Sequence, residues 1–143
     1  ARVGRERAKF VYPLRSLLRS GATVVGGSDC PVEPIDPLEG ISAAVTSATD
    51  EYGERIDAQT AIELFTKRAA YATHEENLKG TIQEGKIADL VVLDRNPLLV
   101  PPEKIGRISV LSTVVGGRVM YSSKKFQAMK TSNGRGRLTR RHS

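Results

Sequence analysis

Asp29 is the residue of this chain whose type and position most favour chemistry. It lies in the stretch GGSDCPVEPIDPLEG of residues 26–40, just after the apolar run ATVV. A carboxylate can bind a metal ion or carry a proton, and α/β folds keep such groups at the carboxyl ends of buried strands. A second interpretation stays open, in which the Asp29 side chain only accepts hydrogen bonds from backbone N–H groups of the following turn.

Other residue types that bind metals are scarce. The chain has two histidines, His74 and His142, and one cysteine, Cys30. His74 falls at the end of a predicted helix, where a histidine can bond the last carbonyls, and Cys30 is predicted to be a small buried side chain. A hydrolytic metal site usually takes three protein ligands, several of them histidine. This chain is therefore not expected to assemble one unaided.

Residues 80–86, GTIQEGK, fit the spacing of a phosphate-binding loop. Such a loop needs Ser or Thr after the lysine and a helix that begins there. Ile87 follows instead, and the pattern continues as a strand. A hairpin with Gly85 in its turn is therefore predicted, and not a nucleotide site.

The net charge of +6 is concentrated at the C-terminal end. Residues 124–143 hold seven of the 22 Lys and Arg and no acid, so the rest of the chain is nearly neutral. This composition predicts a basic, disordered tail over residues 123–143. Nucleic acid is not an expected partner, although in a weaker alternative the tail arginines would contact it. These arginines are Arg135, Arg137, Arg140 and Arg141.

Neither a membrane segment nor a secretory signal is predicted. No run approaches the roughly 18 apolar residues of a membrane helix, and the N-terminal stretch ARVGRERAKF has no apolar core of the kind that follows the charges of a signal peptide. A cytoplasmic protein without a membrane partner is therefore predicted.

The elements around Asp29 follow from local patterns. An amphipathic helix is predicted from near Tyr12 to Gly21, because apolar residues recur at helical spacing and glycine is favoured just beyond a helix end. Residues 22–25, ATVV, form a short run of apolar and β-branched residues, which predicts a buried strand. Asp36, followed by proline and glutamate, predicts the start of a helix with Ala48 on its apolar stripe.

The hydrophobic pattern of the chain changes near residues 75–78, from helical periodicity to the alternation typical of strands. Asp57 predicts the start of a single helix that reaches about residue 73. Beyond it, apolar and β-branched residues alternate, which predicts short strands, and Leu90 to Leu93 form an apolar strand core. Gly116-Gly117 predicts a two-residue turn that joins two more strands.

The stretch SLLRSGATVVGGSDCPVEPIDPLEGISAAVT, followed by KGTIQEGKIADLVVLDRNPL and TVVGGRVMY, resembles the C-terminal part of amidohydrolase family 3. This family is a branch of the metal-dependent amidohydrolase superfamily, and the resemblance spans residues 5–122. It implies an α/β fold, namely the C-terminal piece of a (β/α)8 TIM-barrel metal-dependent hydrolase with part of its small β-sandwich domain. Residues 1–78 would be the last helix-strand-helix segment of the barrel, residues 79–122 strands of the sandwich, and residues 123–143 the tail.

The resemblance also implies a chemistry, the hydrolysis of C–N bonds in amides or related groups by a metal-activated water. Asp29 matches the aspartate that ends the last barrel strand, and so takes the roles of metal ligand and proton carrier. The implied cofactor is a divalent metal, with zinc the expected ion, and the implied partner is a small-molecule substrate. Both belong to the complete enzyme, since no metal is expected to bind tightly to this chain alone.

The chain also departs from the family pattern. Barrels of this type take about 250 residues, and the HxH pair of the first strand has no counterpart among these 143 residues. We therefore expect a C-terminal piece, inactive by itself, whose exposed strand edges pair with the missing N-terminal part or with a second copy. The alternative is a non-catalytic interaction or structural protein derived from that fold.

Overall fold

The computed structural model describes residues 4–46 and 50–134. They divide into two compact units that alternate along the chain. The helical unit holds the residues up to Lys86 together with Arg95–Ile108, and the sheet unit holds Ile87–Asp94 and the residues from Ser109 onward. None of the helices in this part of the chain has the length and hydropathy of a bilayer-spanning segment.

The first two helices are α1, Arg5–Ala8, and α2, Leu14–Arg19. The predicted helix is confirmed at its C-terminal end, where Gly21 has a φ of +83° and donates its N–H to the Leu18 carbonyl at 3.2 Å. Its predicted start is two residues early, because Tyr12 has a φ of +52°, which an α-helix does not allow.

Glu54 caps helix α2 from a distant point of the sequence. Its carboxylate accepts the N–H of Ser16 at 2.9 Å and also the hydroxyl of Ser16. Pro13 precedes the helix and offers no capping side chain, so Glu54 satisfies an N–H that would otherwise lack a partner. Glu54 is accordingly one of the few buried charged residues among those described.

The buried strand predicted over residues 22–25 is wrong. These residues are extended but belong to no sheet, and Val25 is 45% exposed. A strand needs a neighbour to complete its ladder of hydrogen bonds, and none of the described strands pairs with this segment. The segment ends at Gly26, whose N–H donates to the Leu64 carbonyl at 3.0 Å.

Helix α3, Pro37–Thr46, starts where the sequence predicts. The N–H of Leu38 donates to Oδ1 of Asp36 at 2.9 Å, and the proline at the first position loses no hydrogen bond. One face of the helix is buried, and Ala48, predicted to lie on it, is outside the described residues. The buried residues of α3 are Leu38, Ile41, Ala44 and Val45.

The single helix predicted after Asp57 is two helices, α4, Ala58–Leu64, and α5, Lys67–Ala72. The helix is interrupted at Thr66, where ψ is −93°. The Thr66 hydroxyl donates to the Ile62 carbonyl at 2.9 Å. Threonine side chains compete in this way with the backbone bonds of a helix. Because the helix is interrupted here, the Leu64 carbonyl accepts no hydrogen bond from a following helical turn. It accepts the N–H of Gly26 instead.

Asp57 caps α4 with both carboxylate oxygens. Oδ1 accepts the Thr60 N–H at 2.8 Å and Oδ2 accepts the Thr60 hydroxyl at 2.7 Å. These bonds hold the pKa of Asp57 below its ordinary value, because they stabilise the ionised form.

Replacement of Asp57 by Ala is expected to lower the free energy of unfolding by about 1 kcal/mol near neutral pH. The folded-state pKa of Asp57 is depressed, so its contribution is complete above the ordinary pKa that the carboxyl has in the unfolded chain, and it disappears as the pH falls through the lower folded-state value. Urea unfolding of both proteins between neutral and strongly acidic pH measures the difference. A difference that stays constant over that range would contradict this role for the ionised carboxylate.

Residues 79–86 form a turn without flanking strands. The predicted turn at Gly85 is confirmed, since Gly85 has a φ of +87° and Lys86 donates its N–H to the Gln83 carbonyl at 3.2 Å. The side chain of Lys86 donates to the Glu76 carbonyl and to the Thr81 hydroxyl, both at 2.6 Å. The lysine of the GxxxxGK pattern is therefore bound within its own loop.

Residues 95–108 pack with the helices, whereas the sequence places them among the strands of residues 79–122. They contain a 3₁₀ helix, Pro102–Arg107, that lies against α3. The Ser42 hydroxyl of α3 donates to the Pro102 carbonyl at 3.2 Å, and Ile105 is completely buried. This segment thus completes the core of the helical unit.

The sheet unit contains three antiparallel strands in sequential order: β1, Leu90–Leu93, β2, Val110–Val115, and β3, Arg118–Ser122. The predicted turn between β2 and β3 is confirmed, with φ angles of +55° at Gly116 and +77° at Gly117. Two successive positive φ angles give the turn a twist that matches the strands.

Helix α6, Lys124–Gly134, follows β3 and overturns part of the predicted tail. Disorder predicted over residues 123–143 does not hold for 124–134, because these residues include good helix formers and follow a cap. The Ser123 hydroxyl accepts the N–H of Phe126 at 3.2 Å. Residues 135–143, and with them the tail arginines and His142, lie outside the described residues.

Candidate functional site

Asp29 lies at the surface in a tight turn. Its φ is +52°, a left-handed conformation that aspartate tolerates better than most residues, and the Val32 N–H donates to its carbonyl at 2.9 Å. Among the described residues, the Asp29 carboxylate makes no hydrogen bond or ion pair. The second interpretation, in which this side chain caps the turn, therefore receives no support, since the backbone carbonyl closes the turn.

The loop that carries Asp29 is anchored at its start by Phe65. The ring of Phe65 lies between Gly26 and Gly40, and a Cβ on either glycine would come within 2.6 Å of ring atoms. Glycine is therefore needed at both positions, where no side chain fits beside the ring. Together with the hydrogen bond from Gly26 to Leu64, this packing fixes the chain three residues before Asp29.

The other end of the loop is anchored by Asp36, which caps α3. Between the two anchors, Cys30 and Pro31 are joined by a cis peptide bond. Cys30 is exposed, so its predicted burial is wrong. Cysteine is buried in most proteins because it packs well in cores, but the turn at Asp29 places it outside the core.

Gly26→Ala is expected to lower the free energy of unfolding by about 1–3 kcal/mol, because the new methyl group would overlap the trapped ring of Phe65. Gly27→Ala is the matched control, since a Cβ there meets nothing within 4 Å. Urea unfolding followed by circular dichroism measures both. Phe65→Leu, added to Gly26→Ala, should recover part of the loss, and equal stabilities of the two alanine variants would contradict the packing argument.

His74 lies just after the end of α5, as the sequence predicts. It bonds a carbonyl of that helix through its backbone N–H and not through its side chain. It has a φ of +58° and its N–H donates to the Tyr71 carbonyl at 3.0 Å. Its side chain is exposed. Over residues 4–46 and 50–134, no group of three His, Cys, Asp or Glu side chains could hold a metal ion. The described residues thus do not assemble a three-ligand metal site around Asp29.

Sequence reasoning missed Phe65 as a positioning residue. The sequence predicts only one long helix over this segment. The available signal was the apolar stripe of that helix, in which one large ring stands among smaller side chains and therefore needs space against another element. The stripe consists of Ala58, Ala61, Ile62, Phe65, Ala69 and Ala72.

The family model described as "Amidohydrolase family" matches residues 1–121. This chain belongs to the amidohydrolase family. The resemblance found in residues 5–122 is thereby confirmed.

Two relatives and one solved structure illustrate the similarity of this amidohydrolase chain to known proteins. It is 34% identical over 84% of its length to YtcJ of Bacillus subtilis (strain 168), which is named as an amidohydrolase. It is 33% identical over 78% of its length to the N-substituted formamide deformylase of Arthrobacter pascens. It matches a metal-dependent hydrolase structure from Pyrococcus furiosus with 38% identity over 67% of its length and a TM-score of 0.60.

The amidohydrolase chain spans less than a quarter of each of these proteins. The shares are 24% of YtcJ, 21% of the deformylase and 20% of the Pyrococcus furiosus chain. Its mixed helices and strands thus match one part of a metal-dependent hydrolase fold.

Proposed function

We propose that this chain is the C-terminal part of a metal-dependent amidohydrolase and contributes Asp29 to the active site. In the native polypeptide, meaning the full product of the source gene, residues 1–78 would complete the (β/α)8 barrel and residues 79–122 would enter the small β-sandwich domain. Two observations support this proposal: the chain belongs to the family, and it spans less than a quarter of relatives such as YtcJ. Residues 22–25, extended but unpaired here, would be the last barrel strand.

The geometry of Asp29 carries the proposal. The Asp29 carboxylate is exposed, has no partner among residues 4–46 and 50–134, and lies on a loop anchored at both ends, so it is already positioned for a ligand. Carboxylate oxygen is a suitable donor for zinc and other divalent ions. Asp29 would therefore hold the metal, with zinc as the expected ion, and the remaining ligands would come from the part of the native polypeptide beyond this chain.

The proposed chemistry is hydrolysis of a C–N bond. When bound, a divalent metal makes water acidic enough to act as a nucleophile near neutral pH. Asp29 accepts a proton from the attacking water as the water oxygen bonds to the carbonyl carbon of the substrate. Asp29 then donates that proton to the leaving nitrogen as the C–N bond breaks. The relative named N-substituted formamide deformylase supports this bond type.

The non-catalytic alternative rests on the tail arginines, which lie outside the described residues. Contact with nucleic acid through Arg135, Arg137, Arg140 and Arg141 therefore stays a prediction from the sequence.

The mass of the native polypeptide tests the proposal. An antibody raised against this chain would isolate the product from its source, and mass spectrometry would measure it. A product several times heavier than 15.5 kDa, containing bound metal, is the expected result. A product of 15.5 kDa would contradict the proposal, since one candidate ligand does not make a hydrolytic site.

A further inference from the structure

Two large apolar side chains are exposed on the loop that carries Asp29. Val32 is 73% exposed and Ile35 is 77% exposed. Single exposed apolar residues are common on protein surfaces and do not by themselves indicate a site. The position of these two distinguishes them, because both follow closely after the carboxylate proposed for catalysis.

Val32 is held one turn away from Asp29. Its N–H donates to the Asp29 carbonyl at 2.9 Å, which closes a four-residue turn. Turns of this kind bring the first and last Cα atoms to within about 7 Å of each other. A molecule bound at the Asp29 carboxylate therefore has Val32 as an immediate neighbour.

The loop also restricts the motion of both apolar side chains. Pro31 precedes Val32 and Pro34 precedes Ile35, and each proline fixes a φ angle of the backbone. Valine and isoleucine are branched at Cβ, which restricts χ1. Both ends of the loop are anchored by hydrogen bonds, as described above. These side chains therefore lose little conformational entropy when a ligand covers them, as expected of a preorganised binding surface.

Proton donation by Asp29 determines which part of a substrate meets these residues. The leaving nitrogen must come within hydrogen-bond reach of the carboxylate, about 2.6–3.2 Å, in order to receive the proton. The substituent on this nitrogen therefore lies beside the turn that contains Val32. Covering an apolar side chain with an apolar substituent is favourable, whereas a polar substituent would lose hydrogen bonds to water there.

We propose that Val32 and Ile35 select substrates by the group on the leaving nitrogen, and that this group is apolar. The substrates are then amides of apolar amines, such as N-alkyl amides. This inference rests on the proposed function, because it uses the role of Asp29 as proton donor. Glu33 is the one charged residue between Asp29 and Asp36 and would favour a cationic substituent instead, so experiment can distinguish the two preferences.

Steady-state kinetics of the native polypeptide with N-butylformamide and N-methylformamide test the proposal. The wild type is expected to favour the butyl compound by about tenfold in kcat/KM, because its longer alkyl chain contacts the loop. Val32→Thr and Ile35→Thr each place a hydroxyl in that contact, so each should lower the ratio of the two kcat/KM values about fivefold. Ile82→Thr is the matched control, since it makes the same change at an exposed isoleucine in the turn of residues 79–86. It should leave the ratio within about twofold of the wild type.

The outcomes separate this inference from the proposed function. An unchanged ratio in Val32→Thr and Ile35→Thr, with both amides still hydrolysed, would overturn the inference and leave the role of Asp29 intact. A lower unfolding temperature of these variants without a change of ratio would overturn it too, since the rest of the native polypeptide would then cover the loop. Preference for N-(3-aminopropyl)formamide over N-butylformamide would overturn it in favour of Glu33. Hydrolysis of none of these amides by the wild type would contradict the proposed function and the inference together.

Discussion

Asp29→Asn in the native polypeptide is expected to lower kcat by about 10²–10⁴-fold, the usual contribution of a positioned acid–base group. Asparagine has the same shape and tolerates the φ of +52° at this position, so the turn should persist. Its neutral amide cannot accept the proton of the attacking water and is a weaker metal ligand than a carboxylate. N-substituted formamides are the first substrates to try, because a relative is named for their deformylation.

The control for this experiment is Asp36→Asn, which removes a charge from the other end of the same loop. Asparagine caps helices about as well as aspartate, so α3 should be retained and turnover should stay near that of the wild type. Steady-state kinetics and metal content are measured on both variants. Near-normal turnover in Asp29→Asn, or an equal loss in both, would remove Asp29 from the proposed mechanism.

Ile105→Ala should lower the free energy of unfolding of the helical unit by about 2–5 kcal/mol. Ile105 is completely buried in the 3₁₀ helix that packs against α3, so its removal leaves a cavity that the surrounding residues cannot fill completely. Leu99→Ala is the matched control, since this leucine of the same segment is 82% exposed. It should change stability by no more than about 0.5 kcal/mol.

Urea unfolding, followed by circular dichroism, measures both variants. The comparison tests the assignment of residues 95–108 to the helical unit, because a segment that belonged with the strands would leave α3 unaffected. An effect of Ile105→Ala as small as that of Leu99→Ala would refute this assignment.

Features encoded by neighbouring residues could be predicted from the sequence. The caps Asp36 and Asp57 and the turn at Gly116-Gly117 depend on side chains and φ angles within four residues, so local patterns identify them. Asp29 is singled out in the same way, from a short motif between a β-branched run and a helix start, and its role in a metal site stays a prediction.

Features that depend on distant residues could not be predicted. The strand expected over residues 22–25 requires neighbouring strands that the described residues do not supply. The break at Thr66 accompanies a bond between Gly26 and Leu64, and helix α2 is capped by Glu54 from 38 residues away. The basic composition of residues 123–143 predicts a disordered tail. Helix α6 nevertheless forms there, because Ser123 caps its first turn and the following residues have good helix propensity.

An anomalous X-ray difference map at the zinc edge, from crystals of the native polypeptide, tests the central claim most directly. The account predicts a peak about 2.0–2.2 Å from a carboxylate oxygen of Asp29. A metal site formed only by other residues, with the Asp29 carboxylate bonded to backbone N–H groups of its own turn, would contradict it.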